Sequence, residues 1–153
     1  MTSDEAHIRF MTAPGARLVL DQGRASDNQA EILLLGNRAG LLSLANVVLW
    51  LRAMSWRREM LSMAELPFVE AKAPMRLLIR VGAGDATGSH GSIRTNEPGV
   101  DFEWLIPEDD LEAVGLSIHR LAASPNAEYQ RLRVEAKSDV GIQIRMTDTE
   151  AWL

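Results

Sequence analysis

"EILLLGNRAGLLSLANVVLWLRAM", residues Glu31–Met54, combines a strand pattern, a capping residue and a helix pattern in one continuous segment. Residues 31–37 are apolar with little alternation, which predicts a strand that is covered on both faces. Asn37 can then accept a hydrogen bond from a free N–H in the first turn of a helix. Helical spacing predicts that helix over about 38–54, with an inward stripe of Leu41, Leu44, Ala45, Val48 and Leu51.

This predicted helix is apolar on nearly every side, because Leu42, Val47 and Leu49 occupy the face opposite the first stripe. Such a helix is either deeply buried or covers a partner. The second explanation would make the chain a self-associating structural protein, a homodimer whose core is completed by the second copy. The apolar run is too short for a membrane span, which needs about 20 residues, so we expect no membrane association.

The rest of the chain supplies further strands and a second helix. Alternating patterns predict strands over 75–81, 91–96, 129–136 and 140–146. Each neighbouring pair, 75–81 with 91–96 and 129–136 with 140–146, is expected to form a hairpin, since no helix pattern separates its members. The pattern of residues 107–124 predicts the second main helix. Its first turn is acidic, and the helix dipole favours negative side chains at the N-terminus. We therefore expect a single globular domain over 1–153 with an α+β fold, in which two main helices pack on one face of a mostly antiparallel sheet.

Four glycines follow the strand at 75–81, in the segment "VGAGDATGSHGS" at residues 81–92. A dinucleotide-binding loop needs three spaced glycines and then a helix whose N-terminus meets the phosphates. Here Thr87 occupies the third glycine position, and the next residues predict a strand. The chain also contains no Gly-Lys-Ser/Thr sequence. We therefore expect a turn between two strands, with a nucleotide- or anion-dependent enzyme that uses the Gly82–Gly91 loop as the alternative.

Composition and charge narrow the classes of partner. The chain has 153 residues, 46% of them hydrophobic, and no cysteine, which fits a cytoplasmic globular protein. Residues 1–80 carry 10 Lys or Arg against 8 Asp or Glu, and residues 81–153 carry 6 against 13. A net negative half favours a cationic protein partner and opposes nucleic acid. It is also compatible with an ordinary solvated acidic face.

No pattern in the sequence predicts catalysis, a cofactor or a metal site. The three histidines, His7, His90 and His119, lie far apart in the chain and lack metal-ligand spacing. The acidic residues around position 108 lack the spacing of a calcium loop, and a helix start accounts for them. We therefore expect a protein that is not an enzyme and that acts by binding.

A resemblance to a known family points the same way. The Gly-Asn-x-x-Gly-Leu pattern and its apolar continuation resemble the strand-to-helix segment of Imm32-type immunity proteins; the residues that carry it are Gly36, Asn37, Gly40, Leu41, Leu44, Ala45 and Val48. The resemblance extends over about residues 30–81 and has no counterpart beyond Gly82. It implies a small, non-catalytic bacterial protein that inhibits a partner toxin.

Two regions are predicted to contact that partner. The first is acidic and would meet a basic toxin surface; its residues are Asp101, Glu103, Glu108, Asp109, Asp110 and Glu112. The second mixes Trp, Met and Arg, a composition that is enriched at protein interfaces; its residues are Trp50, Met54, Trp56, Arg57 and Met60. This second region could equally fill a gap beside the core.

Overall fold

The computed structural model of the chain describes residues 2–72, 74–82, 90–124, 129–132, 134 and 140–147. The helices in this part of the chain are α1 (Ser3–Met11), α2 (Arg38–Ala53) and α3 (Glu108–Ala123). The strands are β1 (Leu18–Arg24), β2 (Ala30–Gly36), β3 (Met60–Ser62), β4 (Val69–Ala71), β5 (Arg76–Gly82), β6 (Ser92–Glu97), β7 (Asp101–Pro107), β8 (Tyr129–Leu132) and β9 (Val140–Met146).

The strands form two sheets. The first sheet has the order β4-β1-β2-β9-β8, and the second has the order β3-β5-β7-β6. Strands β2 and β9 are parallel in the first sheet, as β5 and β7 are in the second. A single cluster of buried apolar side chains includes residues from both sheets and from α2 and α3.

The predicted α+β class is confirmed, but the prediction of a mostly antiparallel sheet is wrong, because both sheets are mixed. The expected hairpin of 75–81 with 91–96 is also wrong. Strand β7 lies between β5 and β6 and pairs with both of them, parallel to β5 and antiparallel to β6. The second expected hairpin is confirmed by the antiparallel pairing of β8 with β9. The period of a strand determines which of its side chains share a face, but it does not determine which other strand pairs with it.

Helix α1 was not predicted, although the sequence contains a signal for it. The Thr2 hydroxyl accepts a hydrogen bond from the N–H of Glu5 at 3.1 Å, which caps the helix. A Thr followed three residues later by Glu is the pattern of a helix start. The helix is short and mostly exposed, and Ile8 is the residue of α1 that is buried.

The two sheets and the two long helices show an internal symmetry in the order and pairing of their elements. Each half of the chain contributes a hairpin, a 16-residue helix and a second antiparallel pair, β3 with β5 or β8 with β9, and the first half adds the short strand β4. The final strand of each half joins the hairpin of the other half, since β5 pairs with β7 and β9 pairs with β2. The two halves therefore complete each other's sheets by exchanging strands.

Burial follows the same symmetry along the two helices. Leu41, Leu44, Val48 and Leu51 of α2 are buried at the positions that Leu111, Val114, Ile118 and Leu121 occupy in α3. The equivalent residues at the centre are Ala45 and Gly115, where the two helices approach most closely: a Cβ atom at Gly115 would lie 2.7 Å from Leu49 Cδ2 and 3.5 Å from the Ala45 carbonyl oxygen. Small side chains at this crossing let the helix backbones come close together.

The predicted cap of α2 is confirmed and does more than end the helix. The Asn37 Oδ1 atom accepts hydrogen bonds from the N–H of Gly40 at 2.8 Å and of Arg17 at 3.1 Å. The Asn37 Nδ2 group donates to the Gly15 carbonyl at 2.9 Å. One side chain therefore joins the start of α2 to the segment before β1. Gly40 is needed here, because a Cβ atom at this position would lie 2.1 Å from the Arg17 carbonyl oxygen.

The apolar surface of α2 is largely covered within one chain. Leu41, Val47 and Val48 are fully buried, while Leu42 and Leu49 are partly exposed. Helix α3 provides much of this cover at the Ala45–Gly115 crossing. The pattern that suggested a homodimer is therefore accounted for by packing inside the chain.

We expect Gly40→Ala and Gly115→Ala to differ sharply, although both replace a glycine inside a helix. At Gly115 the clashing atom belongs to the flexible, partly exposed Leu49 side chain. The gain of about 1 kcal/mol in helix propensity should then offset the repacking. At Gly40 the clash is with backbone, so a loss of about 2 kcal/mol or more is expected. Urea unfolding of both variants measures the difference, and equal losses would contradict the geometry.

Candidate protein-binding surface

The structure places part of the acidic region, Glu108 and Glu112, beside the segment that contains the predicted Trp, Met and Arg residues, where α2 ends and α3 begins. The Ser55 hydroxyl, just beyond α2, donates a hydrogen bond to Glu108 Oε1 at 2.8 Å. One turn further along α3, Glu112 lies 3.7 Å from the guanidinium of Arg52. The regions are about 50 residues apart in sequence but adjacent on the surface, because α2 and α3 pack antiparallel to each other.

Two large apolar side chains are exposed beside this junction. Trp56 is 77% exposed and Met60 is 46% exposed, whereas most side chains of this size in the chain are buried. They line a cleft of about 640 Å³, whose other lining residues include Ser55, Arg57 and Leu78. We call Trp56, Met60 and the exposed acids Glu108, Asp109 and Glu112 the Trp56 surface.

Of the other predicted residues of this region, Trp50 and Met54 are partly buried, while Arg57 is exposed and lines the cleft. Trp50 is partly buried, stacked on His7 with a centroid distance of 6.3 Å and covered on its ring by the Arg58 guanidinium at 5.8 Å. Met54 is partly buried at the end of α2. Arg57 lies 5.9 Å from the centroid of the Trp56 ring and also bonds to Asp4. These residues support the exposed ones.

The six predicted acidic residues do not form one patch. Asp101 and Glu103 lie on the outer face of the second sheet, facing arginines of neighbouring strands. Asp110 is buried at the start of α3. Glu108, Asp109 and Glu112 are therefore the members of the set that are exposed around α3.

Glu103 is the centre of an ion-pair network on the second sheet. Its side chain is almost fully buried, and it accepts hydrogen bonds from Arg80 Nε at 2.9 Å and Arg94 Nε at 2.8 Å. Asn96 Nδ2 adds a longer contact at 3.3 Å. Burial raises the pKa of Glu103, but the hydrogen bonds from Arg94, Arg80 and Asn96 together lower it further, so the net pKa lies below its ordinary value.

The structure places no histidine in a metal-binding arrangement among the described residues. No group of three or more His, Asp or Glu side chains in that part of the chain could hold a metal ion. His90 Nε2 lies 3.4 Å from the Ser117 hydroxyl, and the His90 carbonyl accepts a hydrogen bond from Trp104 Nε1 at 2.7 Å. These contacts connect the start of β6 to the core residue Trp104 and to α3.

The glycine segment falls mostly outside the described residues, which resume at His90 after Gly82. The strand predicted after it is confirmed as β6, so the helix that a dinucleotide loop requires does not follow. In space, Gly82 is paired with Pro107, immediately before the acidic start of α3. Negative side chains at this helix N-terminus oppose the binding of an anion there.

The comparisons with known proteins return nothing for this chain: no family model, no curated protein and no solved structure matches it. Among the described residues, none of the helices is long and apolar enough to cross a membrane.

Sequence reasoning missed the residues that hold the site in place. Asp4 bonds both Arg57 and Arg58, and Arg94 bonds Glu103 across two strands. Arg94 alternates with the inward-facing Ile93, so its outward orientation was predictable from strand periodicity. Its partner was not, because that depends on which strand lies beside β6.

We expect Glu103→Gln to destabilise the protein at pH 7 and to lose this effect in acid. Two partly exposed arginines lose their charged partner, which should cost about 1–2 kcal/mol after solvent screening. Because the folded-state pKa is lowered, the stabilisation is present above the ordinary pKa of 4.5 and is lost as the pH falls through the folded value.

Urea unfolding between pH 7 and pH 3 tests this, with Glu97→Gln, an exposed acid on β6, as the control. The difference in unfolding free energy between the wild type and Glu103→Gln should shrink as the pH falls below 4.5. A difference that is constant with pH would show that the charge of the Glu103 carboxylate does not contribute to the free energy of unfolding.

Proposed function

We propose that this chain is a non-catalytic protein-binding module that acts in the cytoplasm and inhibits a basic partner protein, in the manner of an immunity protein that neutralises a bacterial toxin. The observation that carries the proposal is the Trp56 surface, where an exposed tryptophan and methionine adjoin exposed acidic residues.

The apolar part of the surface supports binding to a protein. Exposing a tryptophan and a methionine to water forgoes the free energy that their burial would provide, about 1–2 kcal/mol for each, since Trp56 is 77% and Met60 46% exposed. A partner that covers them recovers this free energy. Tryptophan is enriched among the residues that dominate interface energies, and such residues are surrounded by polar groups that exclude water. Ser55, Glu108 and Arg57 are placed to form that polar rim.

The charged part of the surface supports a basic partner. Glu108, Asp109 and Glu112 are exposed in the first turns of α3, and Arg52 faces only one of them. Opposite charges across an interface accelerate association and orient the two proteins. A basic toxin domain has the complementary charge.

The resemblance to Imm32-type immunity proteins also supports the proposal. It bears on the class of protein and gives no information on which residues contact the partner. The residues that carry it include Gly36, Asn37 and Gly40, which lie at the start of α2. Trp56 lies beyond the other end of this helix, roughly 24 Å away for 16 residues. The shared pattern therefore concerns how the fold is built and does not include the Trp56 surface.

We expect Trp56→Ala to weaken binding to a candidate basic toxin domain taken from a neighbouring gene by at least about tenfold, since a tryptophan at the centre of an interface typically contributes 2 kcal/mol or more. Isothermal titration calorimetry measures the affinity. Phe10→Ala is the matched control, because Phe10 is 90% exposed on α1 outside the Trp56 surface. No binding by the folded wild type at micromolar concentration would refute the proposal, and so would equal losses in both variants.

We expect Asp109→Lys to slow association with the same domain, because it reverses an exposed charge of the Trp56 surface. The effect should be severalfold at low ionic strength and should fade as salt screens the charges. Stopped-flow or surface-plasmon kinetics measure it. Glu70→Lys on β4, an exposed reversal in the first sheet, is the control, and a similar change there would mean that only net charge matters.

A further inference from the structure

The segment that presents Trp56 has no regular secondary structure of its own. Residues 54–59 form turns between the end of α2 and the start of β3. Backbone hydrogen bonds from Arg57 and Arg58 to the Met54 carbonyl shape the turn. Trp56 is too exposed for packing to hold its ring, so neighbouring side chains also restrain the segment. A surface that is ordered before binding loses less conformational entropy when the partner arrives.

Asp4 of helix α1 holds the two arginines of this segment. Its carboxylate accepts a hydrogen bond from Arg58 Nη1 at 2.8 Å and forms a close ion pair with Arg57. Asp4 is largely buried by these contacts, and hydrogen bonds from Arg57 and then Arg58 keep its pKa below the ordinary value. The carboxylate is therefore charged at neutral pH.

Arg57 and Arg58, which Asp4 holds in place, in turn contact the exposed residues of the segment. Arg57 lies against the Trp56 ring. Arg58 donates from Nε to the Met60 carbonyl at 3.0 Å and from Nη2 to Glu65 Oε1 at 2.5 Å. Glu65 in turn accepts a hydrogen bond from the N–H of Ser62 at 2.8 Å, so the outer edge of β3 is also held.

Helix α1 depends on the same contacts. A nine-residue helix is too short to persist alone in water, and α1 buries only Ile8. Its Asp4 ion pairs and the stacking of His7 on Trp50 are the contacts that attach its first turns to the rest of the chain. Because α1 leaves Trp56 and Met60 exposed, it does not act as a lid over them.

We infer that α1 is a clamp that orders the Trp56 surface for binding, and that Asp4 is its positioning residue, acting through Arg57 and Arg58 without touching the partner. The effect on the segment follows from the contacts alone, while its consequence for affinity rests on the proposed function. Asp4→Asn should therefore loosen residues 54–62 and weaken binding, although residue 4 lies outside the interface.

Fluorine NMR of protein labelled with 5-fluorotryptophan tests the clamp without any partner. Asp4→Asn should shift or broaden the resonances of Trp50 and Trp56, and leave that of Trp104, which is fully buried in the core, unchanged. Amide hydrogen exchange over 54–62 should become about tenfold faster, the factor expected for losing a hydrogen bond to a charged group. Asp4→Glu should restore both signals in part, since it keeps the charge. Glu5→Gln, an exposed neighbour in the same turn, is the matched control.

The outcomes separate the clamp from the proposed function. If Asp4→Asn and Glu5→Gln give the same resonances and the same exchange rates, the clamp is wrong, whatever the protein binds. A shift of Trp104 together with the other two would also overturn it, since that indicates general loosening. If the clamp signals appear but the wild type does not bind the neighbouring basic toxin domain in calorimetry, the proposed function fails and the clamp stands. With binding established, an unchanged affinity of Asp4→Asn would remove the clamp's role in recognition.

Discussion

The packing of α2 against α3 is the interaction on which the rest of this structure depends, because buried side chains of both helices and both sheets form one core. With no side chain at Gly115, Leu49 and the α2 backbone can approach the second helix closely. The two helices then contribute to one core, and each leads into strands that extend the other half's sheet. Neither half has a complete sheet without the other, so the strand exchange and the helix crossing stabilise each other.

The antiparallel packing of the helices also creates the candidate site. It brings the end of α2, with Arg52 and Ser55, against the start of α3, with Glu108 and Glu112. Trp56 follows in the turn after α2 and is exposed beside the junction. Helix α1 is attached to the same segment, because its Asp4 bonds the arginines that follow Trp56. The site is thus assembled from three segments that are far apart in the chain.

Charge counted along the sequence overstates the acidity of the surface. The acidic half of the chain includes Glu103, which two arginines neutralise, and Asp110, which is buried. The acids that remain exposed near Trp56 belong to the first turns of α3, where the helix dipole stabilises them even without a partner. Their function in recognition would come from their position beside an exposed tryptophan, since acids at a helix start are common.

The sequence by itself determined what depends on neighbours along the chain. It predicts the helix that the structure has at Arg38–Ala53, the cap at Asn37, and the strands that the structure has at Arg76–Gly82 and Ser92–Glu97. Periodicity and capping are properties of a few consecutive residues, which is why these predictions hold. Only the tertiary structure decided that β7 separates β5 from β6, that α2 is covered by α3, and that Asp4 meets Arg57 and Arg58. Strand partners and ion pairs between distant residues depend on how the halves pack, and a local pattern of side chains is compatible with many such packings.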